Sequence, residues 1–165
     1  MKSLTHRNRG TALERLINMT NMQYRNKGIA DIRKIPTPVK ITKDLGATVH
    51  GRKEKGELVD YLGCYGSRAI AFEAKETKLT SFPLSNITKN QYNFLKSWHE
   101  NGATCFLIVS MRKFDKIYLL DFKTLKNAFE TAEKGGRKSI PMDVLEKCPE
   151  IKSKNGYALH YLEVL

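Results

Sequence analysis

The chain has 165 residues and carries 29 Lys and Arg against 17 Asp and Glu, a net charge of +12. Its hydrophobic share of 41% suits one core and a single domain over 1–165, and no apolar run is long enough to span a membrane. The charge points to a polyanionic partner, most simply nucleic acid, rather than to a small-molecule substrate. The opening MKSLTHRNRG is basic and lacks the apolar stretch of a secretory signal, so 1–10 is expected to be a basic arm. Cys64, Cys105 and Cys148 form no CxxC pair and are expected to be reduced thiols in a cytoplasmic protein.

Leu13, Leu16, Ile17, Thr20 and Tyr24 recur at helical spacing, which predicts an amphipathic helix over 11–25, ended by Asn26 to Gly28. IADIRKIPTPVKIT reads as extended chain interrupted by Pro36 and Pro38. The basic, glycine-containing stretch that follows has no apolar period. It predicts a surface excursion or a projecting pair of short strands over about 39–57, with Lys40, Lys43, His50, Arg52, Lys53 and Lys55 outnumbering Asp44, Glu54 and Glu57. ELVDYLGCYGSRAIAFEAKET predicts a hairpin with strands over 58–64 and 67–76, turning at Tyr65–Gly66. KLTSFPLSNI reads as a loop. TKNQYNFLKSWHENG reads as a helix with Thr88 as N-cap and Gln91 completing a capping box. ATCFLIVSM and KIYLLDF are strands apolar enough for burial on both faces. TLKNAFETAEKGG predicts a helix, RKSIPMDVLEKC a basic loop and a short helix starting at Pro141, and YALHYLEVL a last strand. The fold class is therefore α/β, a mixed central sheet flanked by helices.

With Tyr65 and Gly66 as the loop, Asp60 faces Ala71 and lies diagonal to Glu73, roughly 7–8 Å away. Asp60, Ala71, Glu73 and Lys75 then share one face. Two carboxylates so spaced can share one divalent cation, and Mg2+ favours oxygen ligands with few protein carboxylates. A lysine beside them can hold a phosphate or orient a water. This is a set that phosphodiester hydrolysis can use. A surface ion pair and a solvated strand end are the bland alternatives, and a lone Glu-x-Lys would not outweigh them.

The pieces KIPTPV, FEAKET followed by SFPL, and GRKSI, with LERLIN near the start, resemble the RecU-type Holliday junction resolvases of the PD-(D/E)xK nuclease superfamily. The resemblance runs from about residue 10 to the end of the chain. It implies a restriction-endonuclease-like fold with a basic projecting stalk, and a homodimer that nicks four-way junction DNA symmetrically with Mg2+, Mn2+ substituting. By carry-over, Asp60 and Glu73 are metal ligands and Lys75 the transition-state stabiliser. Gln91 matches a further site position in the metal shell, and Glu14 the first-helix acid. Two departures stand out. Leu58 falls where family members often carry a threonine ligand, and both the excursion and the arm are short.

Glu14 and Gln91 each have a competing reading as capping-box partners, of Thr11 and Thr88 respectively. Lys40, Lys43, Arg52, Lys53 and Lys55 are read as phosphate contacts. The match to GRKSI adds Arg137 and Lys138, beside Gly135–Gly136. Trp98, Phe94 and Leu95 are read as core, and the four histidines show no ligand spacing. Two other functions remain open at this stage: a restriction-like nuclease on other DNA, and a non-catalytic DNA-binding recombination factor.

Overall fold

The computed structural model describes residues 11–54, 56 and 58–165. The arm over 1–10, Lys55 and the side chain of Thr11, with its expected cap, lie outside the described residues. Helix α1 (Thr11–Asn26) is followed by β1 (Ala30–Lys34), β2 (Val39–Asp44), β3 (Val49–Lys53), β4 (Tyr61–Tyr65), β5 (Arg68–Thr77) and the short β6 (Ser81–Pro83). Then come α2 (Lys89–Glu100), β7 (Thr104–Met111), β8 (Lys116–Asp121), α3 (Phe122–Glu133), β9 (Ser139–Pro141) and α4 (Met142–Leu145). The main sheet runs β1-β4-β5-β7-β8, parallel only between β5 and β7, where α2 supplies the crossover.

Both faces of this sheet are covered, because β5, β7 and β8 are apolar at consecutive positions. Ile70, Phe72, Phe106, Ile108 and Leu119 face α1 through its Leu13, Ile17 and Tyr24. Ala71, Leu107, Val109 and Leu120 face the opposite side, with Leu95 of α2 and Leu125 of α3. Tyr61, Phe72 and Phe106 are partners across β4, β5 and β7. Their rings stack with centroids 4.7 Å apart at both steps. The Tyr61 hydroxyl donates to Asn18 Oδ1 on α1 at 3.0 Å. That rung pins the register one residue away from Asp60 and Glu73. Gly63 lets β1 approach β4, since a Cβ there would lie 2.1 Å from the Asp31 carbonyl oxygen.

Three sequence expectations are corrected. The β4–β5 turn is Gly66–Ser67, with Tyr65 opposite Arg68. Gly66, at φ 59°, takes the first loop position, where a tight hairpin needs positive φ. The register moves by two, which keeps every side chain on its expected face. The expected loop KLTSFPLSNI contains β6, which pairs with β9 so that Phe82 meets Ile140, both buried. The last segment, YALHYLEVL, adds no strand to the sheet. It crosses α1 and ends in a 3₁₀ turn at Tyr161–Val164. Its amides are taken by α1 side chains instead of a strand edge: Leu159 N–H donates to Thr20 Oγ1 and Leu162 N–H to the Tyr24 hydroxyl.

The expected excursion is the β2–β3 hairpin, a separate two-stranded sheet with both strands exposed throughout. A bulge at Thr42 lets Lys43 pair with His50 while Lys40 pairs with Arg52. Because partners share a face and alternate residues return to it, Lys40, Lys43, His50 and Arg52 lie on one side of the ribbon. Val39, Ile41, Val49 and Lys53 lie on the other. The three cysteines are free thiols, and among the described residues no helix is long and apolar enough to cross a membrane.

Candidate active site

Asp60 precedes β4 and Glu73 sits in the middle of β5, on the α2 face of the sheet. Continuing the β4–β5 register puts them opposite each other rather than diagonal, and two bonds lock the pair. The Asp60 N–H donates to Glu73 Oε2 at 3.0 Å, and the Ala74 N–H donates to Asp60 Oδ2 at 3.2 Å. Each acid thus takes an amide of the other strand. Lys75, two residues along the same face, brings its Nζ to 2.7 Å from Glu73 Oε1. The Gln91 amide Nε2 donates to that same oxygen at 2.6 Å.

Glu73 is only 1% exposed. Burial pushes its carboxyl up to about 8, against the pull of Lys75 and with a smaller push from Asp60. Three donors occupy three of its roughly four lone-pair positions. The one left is on Oε2, the oxygen turned to Asp60. Asp60, which lines an open groove, and the buried Glu73 beside it each keep a free lone pair and fit Mg2+, which binds through one or two carboxylates plus water and phosphate oxygens. Among the described residues no group of three or more His, Cys, Asp or Glu could cage a metal alone, so the donor set is too small for a closed structural zinc site. The groove, about 780 Å³, has Asp60 and Gln91 in its lining, with Pro36, Pro38, Leu58 and the first turn of α2 as walls.

The other expected residues fall in different places. Glu14 lies on α1, over the opposite face of the sheet, with its carboxylate 2.5 Å from Lys34 Nζ. Among the described residues no hydrogen bond or ion pair links it to Asp60, Glu73 or Lys75. Gln91 unites two readings treated as alternatives: the capping box with Thr88 is present, and its amide also reaches Glu73. Lys40, Lys43, Arg52 and Lys53 are on the exposed ribbon, on two different faces as described. Arg137 and Lys138 are exposed in the loop entering β9, where Arg137 Nε donates to Ser139 Oγ at 2.9 Å. The Lys138 carbonyl receives the Leu84 N–H at 3.1 Å, which ties this loop to the SFPL segment. Sequence reasoning missed Thr88 as a residue connected to the site. The signal was the T-x-x-Q spacing itself, read only as a helix start.

A sheet with this strand order, an acid at the head of one strand and Glu-x-Lys on its neighbour defines the restriction-endonuclease-like, PD-(D/E)xK fold class. The fold is similar to a solved structure of Archaeoglobus fulgidus Hjc, described as a Holliday junction resolvase from an archaeal hyperthermophile. The TM-score is 0.52, with 10% sequence identity, over 83% of this chain and 94% of that one. The family model described as "RecU: Recombination protein U" matches residues 8–165, and the chain belongs to that family. Among curated relatives, a protein of Pediococcus pentosaceus named Holliday junction resolvase RecU is 39% identical over 93% of this chain and 76% of its own length. One of the same name from Bacillus cereus (strain B4264) is 35% identical over 100% of this chain and 86% of its own.

The buried carboxyl gives a stability prediction. Its pKa rises from 4.5 to about 8 on folding, so the folded chain holds that proton more tightly than the unfolded one. The stability it contributes is complete below 4.5 and is lost as pH rises through about 8. Glu73→Gln, which resembles the protonated acid, should melt higher than the parent at pH 8 without metal, and by a smaller margin at pH 5. Mg2+ should close the pH 8 gap by stabilising the parent alone. Thermal melts at both pH values, with and without Mg2+, check this; a lower melting point for Glu73→Gln in metal-free buffer at pH 8 would contradict it.

Proposed function

We propose that the chain is a Mg2+-dependent endonuclease that resolves four-way DNA junctions by paired symmetric nicks in recombination and repair. The observation that carries this reading is the pair of locked carboxylates, Asp60 and Glu73, with Lys75 2.7 Å from Glu73, in a chain of the RecU family and of net charge +12. Asp60 and Glu73 would hold the ion. When bound, Mg2+ polarises a phosphoryl oxygen and lowers the pKa of a bound water; Mn2+, which also takes oxygen ligands, would substitute. Lys75 carries the positive charge that offsets charge developing on the phosphate. Gln91 serves the set through the bond its amide nitrogen donates to Glu73, while its carbonyl oxygen accepts the Thr88 N–H.

Two nicks on symmetry-related strands call for two such sites about a twofold axis, so the active form is a homodimer. The cationic face of the β2–β3 ribbon contacts junction phosphates, and Arg137 and Lys138 contact the backbone of an arm. Cleavage of a four-way junction and of linear duplex by the parent, Asp60→Asn, Glu73→Gln and Lys75→Ala is the test. The reading expects metal-dependent junction cleavage by the parent, at least 100-fold loss in each variant (about 2.7 kcal/mol of transition-state stabilisation), and retained junction binding. Equal cleavage of duplex would favour a nuclease for other DNA. No cleavage by the parent with any divalent ion would favour a non-catalytic binding protein.

The ribbon's two faces give a separate test. Lys40→Ala, Lys43→Ala and Arg52→Ala together should lower the salt dependence of junction binding by up to about 2.7 in log–log slope, near 0.9 per phosphate contact. Binding to linear duplex should change less, and folding should be unaffected because these side chains are exposed. Lys53→Ala, on the opposite face, should lower the slope by less than any one of the three. Equal effects on junction and duplex would reduce the ribbon to a general electrostatic surface.

A further inference from the structure

The Gln91 amide stands between two groups with opposite demands. On one side the Thr88 N–H, at the start of α2, needs an acceptor and receives Gln91 Oε1 at 3.0 Å. On the other, Glu73 Oε1 needs a donor and receives Gln91 Nε2 at 2.6 Å. The Thr88 hydroxyl oxygen in turn accepts the Gln91 N–H at 3.2 Å, which closes the capping box. Turning the amide over would set NH2 against the Thr88 N–H and leave Glu73 Oε1 without its Gln91 donor. A glutamine at a site can in general either donate through its nitrogen or ligate through its oxygen. Here the helix cap turns the nitrogen, not the oxygen, to Glu73.

We propose that Thr88 is a positioning residue for this site. Its side chain holds the first turn of α2 in the geometry that presents the Thr88 N–H to Gln91 Oε1, and so fixes Gln91 as a hydrogen-bond donor to Glu73. The consequence lies at the carboxylate. With Gln91 and Lys75 both on Oε1 and the Asp60 N–H on Oε2, the free lone pair of Glu73 is directed to the Asp60 side. A carboxylate so held has no need to rotate before it takes a cation. Thr88 is exposed, and among the described residues no hydrogen bond joins it to Asp60, Glu73 or Lys75, so its effect passes through Gln91. Bonds of this kind, one step removed from a metal ligand, typically carry about 10- to 100-fold in metal affinity or activity.

This inference rests on the reading of Asp60 and Glu73 as the cation site, and the test separates the two. Thr88→Ala is compared with Thr88→Ser, which keeps the hydroxyl, and with Asp121→Ala. Asp121 caps α3 by accepting the Thr124 N–H at 2.7 Å, away from the site, so its loss reports the cost of an uncapped helix alone. Mn2+ affinity is measured by calorimetry on the DNA-free protein, alongside junction cleavage over a range of DNA concentrations. Thr88→Ala should weaken Mn2+ binding about tenfold and lower kcat with little change in KM. Thr88→Ser should restore both to within about twofold. Asp121→Ala should melt lower, as Thr88→Ala does, without moving either quantity. If Thr88→Ala and Asp121→Ala behave alike in Mn2+ binding, Thr88 is a helix cap only and the inference fails. If the parent binds no Mn2+ but Glu73→Gln and the parent are both folded, it is the cation site itself that fails.

Discussion

Glu73 buries a carboxylate at the centre of a sheet whose neighbouring positions are Ala71, Phe72 and Leu107, all fully enclosed. Removing an ionised carboxylate from water costs several kcal/mol even after relaxation, so the surrounding chain must answer it with donors. The partners come from three separate elements: an amide from the head of β4, an ammonium from β5 and a side-chain amide from α2. No one of these is local in sequence except Lys75. The arrangement therefore depends on strand register and on the crossover helix together, and a slip in either would leave a buried acid unpaired.

The fold supplies that register from the other face. The Tyr61–Phe72–Phe106 rung lies one residue from Asp60 and Glu73 and is packed under α1 and the C-terminal segment. Large aromatic side chains bury much area and stack with preferred geometry, so slipping β4 against β5 would break the stack as well as the acid pair. The face of the sheet opposite Asp60 and Glu73 thus fixes the register of the face that carries them. Burial makes the site costly without a cation: the Glu73 pKa is raised even with Lys75 and two further donors beside it. The buried acid costs local stability, and the two-sided core offsets the loss.

Much of this was legible in the sequence because it rests on period and composition. Leu13, Ile17, Thr20 and Tyr24 mark one helical stripe, and the buried strands read as continuous apolar runs. The common face of Asp60, Glu73 and Lys75 survived a misplaced turn because the error shifted the register by two residues, which preserves parity. A shift of one would have reversed it. What was not legible depended on partners far apart in the chain. Ser81–Pro83 is a strand only because Ser139–Pro141 lies beside it, and neither triplet has a strand signature alone. YALHYLEVL has strand-forming residues, yet Thr20 and Tyr24, some 140 residues earlier, take its amides. Glu14 and Gln91 each sit at capping-box spacing, and spacing cannot say where a side chain's second bond goes. For Gln91 it goes to Glu73, for Glu14 to Lys34.

The central claim is that Asp60 and Glu73 are held ready to share one cation. Crystals of the protein grown or soaked with Mn2+ test it directly through anomalous scattering at the manganese edge. The account predicts a peak within coordination distance, about 2.1–2.3 Å, of one oxygen of Asp60 and of Glu73 Oε2, with Gln91 and Lys75 still on Glu73 Oε1. Manganese bound elsewhere, or ligated by Glu73 Oε1 after displacing Gln91, would contradict it.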